Sequence, residues 1–528
     1  MASATDVDPG ALQSASSLVL LQAGSRLATF ILNQALVRLS SPASYGVAAI
    51  QFELVSSSIL FLAREGIRSA VIRASSDNKS EALVNVTRLP LLLGIPVSLV
   101  VLTLYYTLTS AATINAPNFT PALLAYVVAA FLELSVEPAH LAILRTRGVG
   151  VRVKSEGMGV AARSFTTFTA LFILSRVPIW RDSLELAAFS VGQLAYAIAV
   201  FSVYRVTPEW TTWRLQPVGN KDGKKEYFDH DALRLSGDMT AQSVVKHFLT
   251  EGDKFLLSVF APLKEQGGYA LASNYGSLVA RIIFQPLEET GRLLFSKTLA
   301  AGKSSNAPPA SIKRSAAFLK FLLVLYTHLA LLLVAFAPPY LPIASALILP
   351  ARFRQTTGAS NVLRAWVLTL PMLALNGVLE ALVASTAAPV TLRKQSAWMA
   401  FCSLVFVGCA ALFQSQGLAS GGEEIVWANA VAMALRAAWA ARFARELLGP
   451  ELIWRSVLPG PPVFIAFAIA GWIVRMWGNN QAVMPFGEQL RHVSVGILCL
   501  AACGIVCLVW ERDTLMRALP VLAQRRRD

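Results

Sequence analysis

Apolar runs of about twenty residues, long enough to cross a bilayer core as helices, recur along the chain between polar or glycine- and proline-bearing breaks. They predict helices near 14–38, 43–63, 89–110, 121–144, 156–175, 185–204, 237–260, 268–296, 317–337, 361–386, 396–415, 424–444, 458–477 and 492–511, fourteen in all. Between Lys246 and Lys297 the apolar pattern is interrupted in a regular way. Ser243, His247, Glu251, Lys254 and Ser258 recur at steps of three or four, as do Asn274, Ser277, Arg281, Gln285, Glu288 and Arg292. Such spacing places each set on one helical face. A charge in hydrocarbon is costly, so these faces should line a protein interior or a water-filled cavity, as in a transporter.

Similar stripes occur elsewhere. The first helix carries Gln22, Arg26, Thr29 and Asn33 at helical spacing, and the second carries Glu53 and Ser57 before ending in Arg64, Glu65 and Arg68. The fourth carries Glu133, Glu137 and His140, the tenth Asn376 and Glu380, and the twelfth Asn429 and Arg436. A faint internal repeat accompanies them: Arg26 precedes Pro42 by sixteen residues, as Lys246 precedes Pro262. The expected architecture is an all-α polytopic membrane protein of about fourteen transmembrane helices, in two six-helix lobes plus two C-terminal helices. The expected segments are an N-terminus (1–13), a first lobe (14–204), a linker (205–236), a second lobe (237–444), helices 13 and 14 (445–511) and a basic tail (512–528).

Composition agrees with a membrane protein. Of 528 residues 55% are hydrophobic and 15% charged, with mean hydropathy +0.55, far too apolar for a soluble chain of this size. Met1–Gly10 carries Asp6 and Asp8 and lacks the basic start of a signal peptide, so the first apolar run should be retained as a helix. The five cysteines lie in apolar segments without metal-ligand companions and read as packing residues.

The net charge of +15 could suggest nucleic acid, but its distribution points elsewhere. Arg73, Lys79 and Arg88, then Arg145, Arg147 and Arg152, then Lys221, Lys224 and Lys225 collect on alternate connections, and the intervening ones hold few basic residues. This is the positive-inside pattern, placing both termini and the linker in the cytosol. Of the sequons, Asn78 and Asn85 then lie on the cytosolic side and Asn118 in a short lumenal loop.

Arg26, Arg64, Lys254, Arg281, Arg292, Arg364 and Arg436 outnumber the carboxylates expected near them. An excess of intramembrane cations suits an anionic, phosphate-bearing substrate, because the arginine fork matches phosphate oxygens. Two other readings stand beside it. The charges could be ion pairs that fix helix packing, such as Glu288 with Arg292, or Glu133, Glu251, Glu288 and Glu380 could be proton or sodium sites. The chain contains no P-loop, nucleotide fingerprint or zincin motif, so no cofactor, metal or ATP-driven step is expected.

Several strings carry a family resemblance. They are Phe30-Ile-Leu-Asn-Gln with Arg38 and Ser41-Pro42, Tyr45-Gly46, Phe61-Leu-Ala-Arg-Glu with Ile67-Arg68, Glu251-Gly-Asp-Lys254, Ile283-Phe-Gln-Pro-Leu-Glu-Glu289 and Leu375-Asn-Gly-Val-Leu-Glu380. Over about 14–511 the chain resembles the eukaryotic oligosaccharide translocation proteins of the endoplasmic reticulum, within the multidrug/oligosaccharidyl-lipid/polysaccharide exporter superfamily. The resemblance implies a non-enzymatic flippase of the endoplasmic reticulum membrane. Its substrate would be a dolichyl-pyrophosphate heptasaccharide of five mannoses and two N-acetylglucosamines, moved to the lumenal leaflet for N-glycosylation. Membrane lipids and other glycosylation-pathway membrane proteins are the further partners implied. A scaffold or chaperone for the same lipid-linked sugar, or a cation-coupled exporter, remains the alternative. The candidate substrate-binding residues are Arg26, Arg64, Arg68, Glu251, Lys254, Arg281, Glu288, Glu289, Arg292, Asn376 and Glu380. Arg26, Arg64, Arg281 and Arg292 are expected to contact phosphate, with Glu251, Glu288 and Glu289 orienting the arginines or binding sugar hydroxyls.

Overall fold

The computed structural model describes residues 31–73, 81–145, 149–210, 215–219, 225–299, 309–417, 421–452, 456–478 and 485–512. The described residues are built from helices, apart from a small antiparallel pair of Val218–Gly219 with Lys225–Glu226. From 43–63 onward every expected span falls on helix, and most of the helices run past the apolar window that predicts them. Glu81–Leu108, Val149–Ser175 and Pro389–Ser415 each begin several residues early. Charge ends an apolar run, but it does not end a backbone hydrogen-bond ladder, and Arg, Lys and Glu are good helix formers. The expected 14–38 span lies mostly outside the described residues, of which 31–39 are helical.

By length and apolarity eight described helices can cross a membrane, or nine if Phe119–Ser135 and Glu137–Arg145, bent by 41°, form one span. His230–Phe260 and Glu423–Leu448 are as long but carry several ionisable groups, and Pro461–Trp477 is shorter. Contacts divide the chain into two compact units, 1–267 and 268–528.

In the first unit Ser41 caps the helix that starts at Pro42, its Oγ accepting from the Ser44 N–H at 3.3 Å, while its own N–H and Oγ both donate to Glu185 Oε2. The helix passes through a π-helical segment, Val47–Phe52, before continuing as Glu53–Arg73. There Gln51 is fully buried, and its Nε2 donates to Ser258 O at 3.2 Å and Gln266 Oε1 at 2.8 Å. The Tyr105 hydroxyl donates to Gln51 Oε1 at 2.6 Å, so one amide ties together three segments at no cost in unsatisfied polar groups. Beside it Phe52, Ile59, Phe119, Leu123, Tyr126 and Leu134 fill the core.

His230–Phe260, which the sequence places at the head of the second lobe, packs along Glu53–Arg73 within the first unit. Asp229 caps it, accepting from the Ala232 N–H. The connector before it is tethered to the Glu81–Leu108 helix. Buried Asn85 donates Nδ2 to Gln216 O and Tyr227 O, and its Oδ1 accepts from the Gln216 N–H and from Arg88. With its amide nitrogen engaged twice, the Asn85 sequon is closed to modification in the folded protein.

In the second unit Phe295, Phe318, Leu322, Tyr326, Val378 and Leu382 form the core between the helices Gln285–Thr298, Pro309–Ile348 and Ala359–Thr386. The C-terminal pair, Pro461–Trp477 and Phe486–Trp510, seats Phe467, Ala470 and Cys503 against Ala335. Its other face exposes Ile465, Ile469, Trp472, Ile497, Leu498, Ile505 and Leu508, an apolar surface suited to lipid. At one end His328 Nε2 meets Glu511 Oε2 at 2.6 Å, and Glu511 Oε1 accepts the Gly460 N–H at 2.8 Å. The cysteines are free, with Cys402 and Cys503 buried.

The tightest backbone approach sets a test. A β-carbon at Gly267 would lie 1.9 Å from Pro42 O, and one at Gly46 would lie 2.3 Å from Leu263 O. Gly267→Ala should therefore lower the melting temperature of the detergent-purified protein by several degrees, because backbone must move. Gly408 has nothing within 4 Å of its would-be β-carbon, so Gly408→Ala should stabilise slightly, by roughly 0.5–1 kcal/mol. Equal shifts in the two variants would contradict this account of the crossing.

Candidate functional site

The polar stripes resolve into two kinds of charge: those matched by a carboxylate and those left open. In the first unit Glu137, fully buried on the second half of the bent span, is the centre of a matched cluster. Arg68 donates Nε to Glu137 Oε2 at 2.8 Å and Nη2 to Oε1, a two-pronged pair. Arg64 reaches the same Oε1 at 3.3 Å and Glu133 Oε2 at 3.8 Å. Nearby, Arg163 lies 3.6 Å from Glu53. Arg64 and Arg68, expected at the substrate, thus meet one internal carboxylate and keep about a fifth to a quarter of their side chains exposed.

On His230–Phe260 Lys254 Nζ pairs with Glu251 Oε2 at 2.8 Å. Glu251 and His247 border a cavity of about 280 Å³. His247 Nε2 lies 2.7 Å from Ser58 Oγ and the ring stacks on Phe61 at 5.0 Å. The remaining walls are mostly apolar, including Leu54, Val101, Leu104 and Phe255. This cavity lies wholly within the first unit and is apolar with a polar edge.

In the second unit Glu380 accepts two hydrogen bonds from Arg436, from Nε at 2.7 Å and from Nη2 at 2.9 Å. Its neighbour Asn376 is buried, with no partner for Oδ1 among the described residues. Glu288 is half-buried, while Arg281, Gln285, Glu289 and Arg292 on the same helical stretch are exposed. Arg281 sits in a π-helical turn, Ala280–Phe284, and donates Nη2 to Asn274 O at 3.0 Å and Oδ1 at 2.9 Å, both neutral acceptors. Arg292 lies within electrostatic reach of Glu288 but makes no hydrogen bond among the described residues. Arg26 lies outside the described residues.

The cationic excess expected from the whole set is therefore uneven. Arg64, Arg68, Lys254 and Arg436 each have a carboxylate, whereas Arg281 and Arg292, and Arg364 on Ala359–Thr386, have no carboxylate hydrogen bond among the described residues. Two guanidinium groups that face outward from a helix of this kind need water or an anion, because hydrocarbon cannot accept their hydrogen bonds. Sequence spacing does not reveal Gln51 with Gln266, Arg163 with Glu53, or the partner of Arg68. The one available signal for the first pair is an amide inside an apolar run.

Glu137 supplies a direct test of the matched kind. Removing one partner of a buried pair leaves charge uncompensated, at about 3–5 kcal/mol. Glu137→Ala should therefore destabilise strongly, and adding Arg68→Met should recover part of the loss. No recovery in the double variant, read by thermal melting, would contradict a coupled pair.

Comparison with known proteins places this architecture. The family profile described as Rft-1: Rft protein matches residues 10–520. The chain is 30% identical to the Man(5)GlcNAc(2)-PP-dolichol translocation protein RFT1 of Yarrowia lipolytica, over 97% of this chain and 81% of that protein. It is 28% identical to the protein of the same name from Saccharomyces cerevisiae, over 95% of this chain and 94% of that one. Among solved structures, the lipid II flippase MurJ in an inward closed conformation shares the fold at TM-score 0.59 and 14% identity, covering 94% of this chain and 100% of MurJ. An inward-facing multidrug resistance MATE transporter of the MOP superfamily shares it at TM-score 0.56, over 79% of this chain and 94% of that one. Matched by the family profile along nearly all its length, the chain belongs to the Rft protein family.

Proposed function

We propose that this chain flips a dolichyl-pyrophosphate-linked oligosaccharide, Man5GlcNAc2-PP-dolichol, from the cytosolic to the lumenal leaflet of the endoplasmic reticulum membrane. The substrate named for its relatives joins a pyrophosphate to a sugar head and an isoprenoid tail. Moving it requires a hydrated, cationic surface for the head while the tail stays in lipid. The observation that carries the reading is the exposed Arg281–Arg292 face, whose guanidinium groups have no carboxylate hydrogen bond among the described residues. Each fork can offer two parallel N–H donors to phosphate oxygens. Arg281 and Arg292 take the pyrophosphate. Glu288, Glu289, Asn376 and Glu380 border that face and meet sugar hydroxyls or orient the arginines. Arg64 and Arg68, with Glu251 and Lys254, form a second polar surface that admits the head from the cytosolic side.

The chain crosses the membrane fourteen times with both termini cytosolic, as the distribution of basic residues favours. No bond is made or broken in such a step, so the protein acts as a transporter rather than as an enzyme.

Purified protein in liposomes of defined lipid, loaded with the pyrophosphate-linked heptasaccharide lipid, tests the reading. Accelerated exposure of the sugar head across the bilayer is expected. Protein that binds this lipid without accelerating its movement would replace the flippase reading with a chaperone role. In the same assay Arg281→Ala should slow movement about tenfold, on the scale of one lost charge-assisted hydrogen bond. Arg281→Lys should fall between, since ammonium keeps the charge and loses the fork. Full activity in Arg281→Ala would remove this arginine from the phosphate site.

A further inference from the structure

Two strings singled out in the sequence, Ile283–Glu289 and Leu375–Glu380, meet at one contact of atomic scale. The Glu288 carboxylate rests on Gly377. A β-carbon built at 377 would fall 1.8 Å from Glu288 Oε1, 2.5 Å from Cδ and 3.1 Å from Oε2. These three nearest atoms all belong to the free end of one flexible side chain, so a methyl group there displaces the carboxylate before it displaces either helix.

The surroundings say where a displaced carboxylate goes. The charges acting on Glu288 are Arg292 and Glu289 from its own helix and Glu380 from the helix of Gly377, and Tyr326 of Pro309–Ile348 also lies within reach. Glu380 already holds both forks of Arg436 and repels a second carboxylate. Arg292, one turn along at i+4, is the open cation, and Glu followed by a cation at i+4 is a favourable helical pair. A guanidinium closed onto Glu288 has fewer donors left for an anion.

We infer that Gly377 is a positioning residue: its missing side chain seats the Glu288 carboxylate on the Ala359–Thr386 helix and so keeps the Arg292 guanidinium open to a pyrophosphate. The inference rests on the reading of Arg292 as an anion contact given above. It explains why a glycine stands in the middle of a buried helical stretch, between Asn376 and Val378, where alanine would favour the helix by roughly 0.5–1 kcal/mol.

Detergent-purified full-length protein titrated with farnesyl pyrophosphate, with melting curves recorded in parallel, tests it. Gly377→Ala should weaken binding about tenfold with little change in melting. Glu288→Ala should tighten binding, because the competing negative charge is gone, and Gly377→Ala combined with Glu288→Ala should bind as Glu288→Ala does. In the Gly377→Ala background Glu288→Asp, one methylene shorter, should recover part of the affinity even if melting is lowered. Equal weakening by Gly377→Ala whether residue 288 is Glu or Ala would overturn the inference, since the effect would then pass through helix packing. Undiminished binding by Arg292→Ala would overturn the anion reading itself, so the two failures are distinguishable.

Discussion

A charge placed in hydrocarbon must find a partner or water, and nearly every polar feature of this chain answers that requirement. Arg68 and Arg64 answer it through Glu137, Arg436 through Glu380, and Lys254 through Glu251. The pairs of Glu137 and Glu380 join different helices, whereas Lys254 and Glu251 lie three residues apart on one helix. Arg281 answers it only through the neutral oxygens of Asn274, and Arg292 through no hydrogen bond among the described residues. The first group is matched within the protein, whereas the guanidinium groups of Arg281 and Arg292 need water or an anion to complete their hydrogen bonding.

Neutral polar contacts carry the parallel job where helices cross closely. Gln51 is held from three directions, and its π-helical surroundings turn the amide inward without an orphaned donor. A second π-helical turn, Ala280–Phe284, carries Arg281. An extra residue in a helical turn rotates everything after it, and such insertions recur at functional sites. Glycines mark the other close approaches: Gly46 and Gly267 let backbones meet, and Gly377 admits a carboxylate. Architecture and site are thus made of the same devices, applied to backbone in one case and to a side chain in the other.

Periodicity makes the helices legible from Pro42 onward, and it also puts Arg281, Glu288 and Arg292 on one face. What it could not supply was pairing. Arg68 finds Glu137 from 69 residues away, and Arg436 finds Glu380 from 56 away, distances over which a helical repeat holds no information. The excess of cations therefore looked broader in sequence than the three-dimensional pairing leaves it. Helix ends are less legible for the opposite reason, since charge interrupts an apolar run where the backbone ladder continues. The placement of His230–Phe260 along Glu53–Arg73, and the tether of the connector to Asn85, depend on contacts that no local pattern encodes.

The central claim is that the Arg281–Arg292 face meets water rather than lipid. Single cysteines placed at 281, 285 and 292 in a cysteine-free background, probed in native membranes with a charged water-soluble thiol reagent, test it most directly. The account predicts rapid labelling at all three, and slow labelling of a cysteine on the lipid-suited face at Ile497. Slow labelling at 281, 285 and 292 in protein of normal abundance, equal to that at 497, would contradict it.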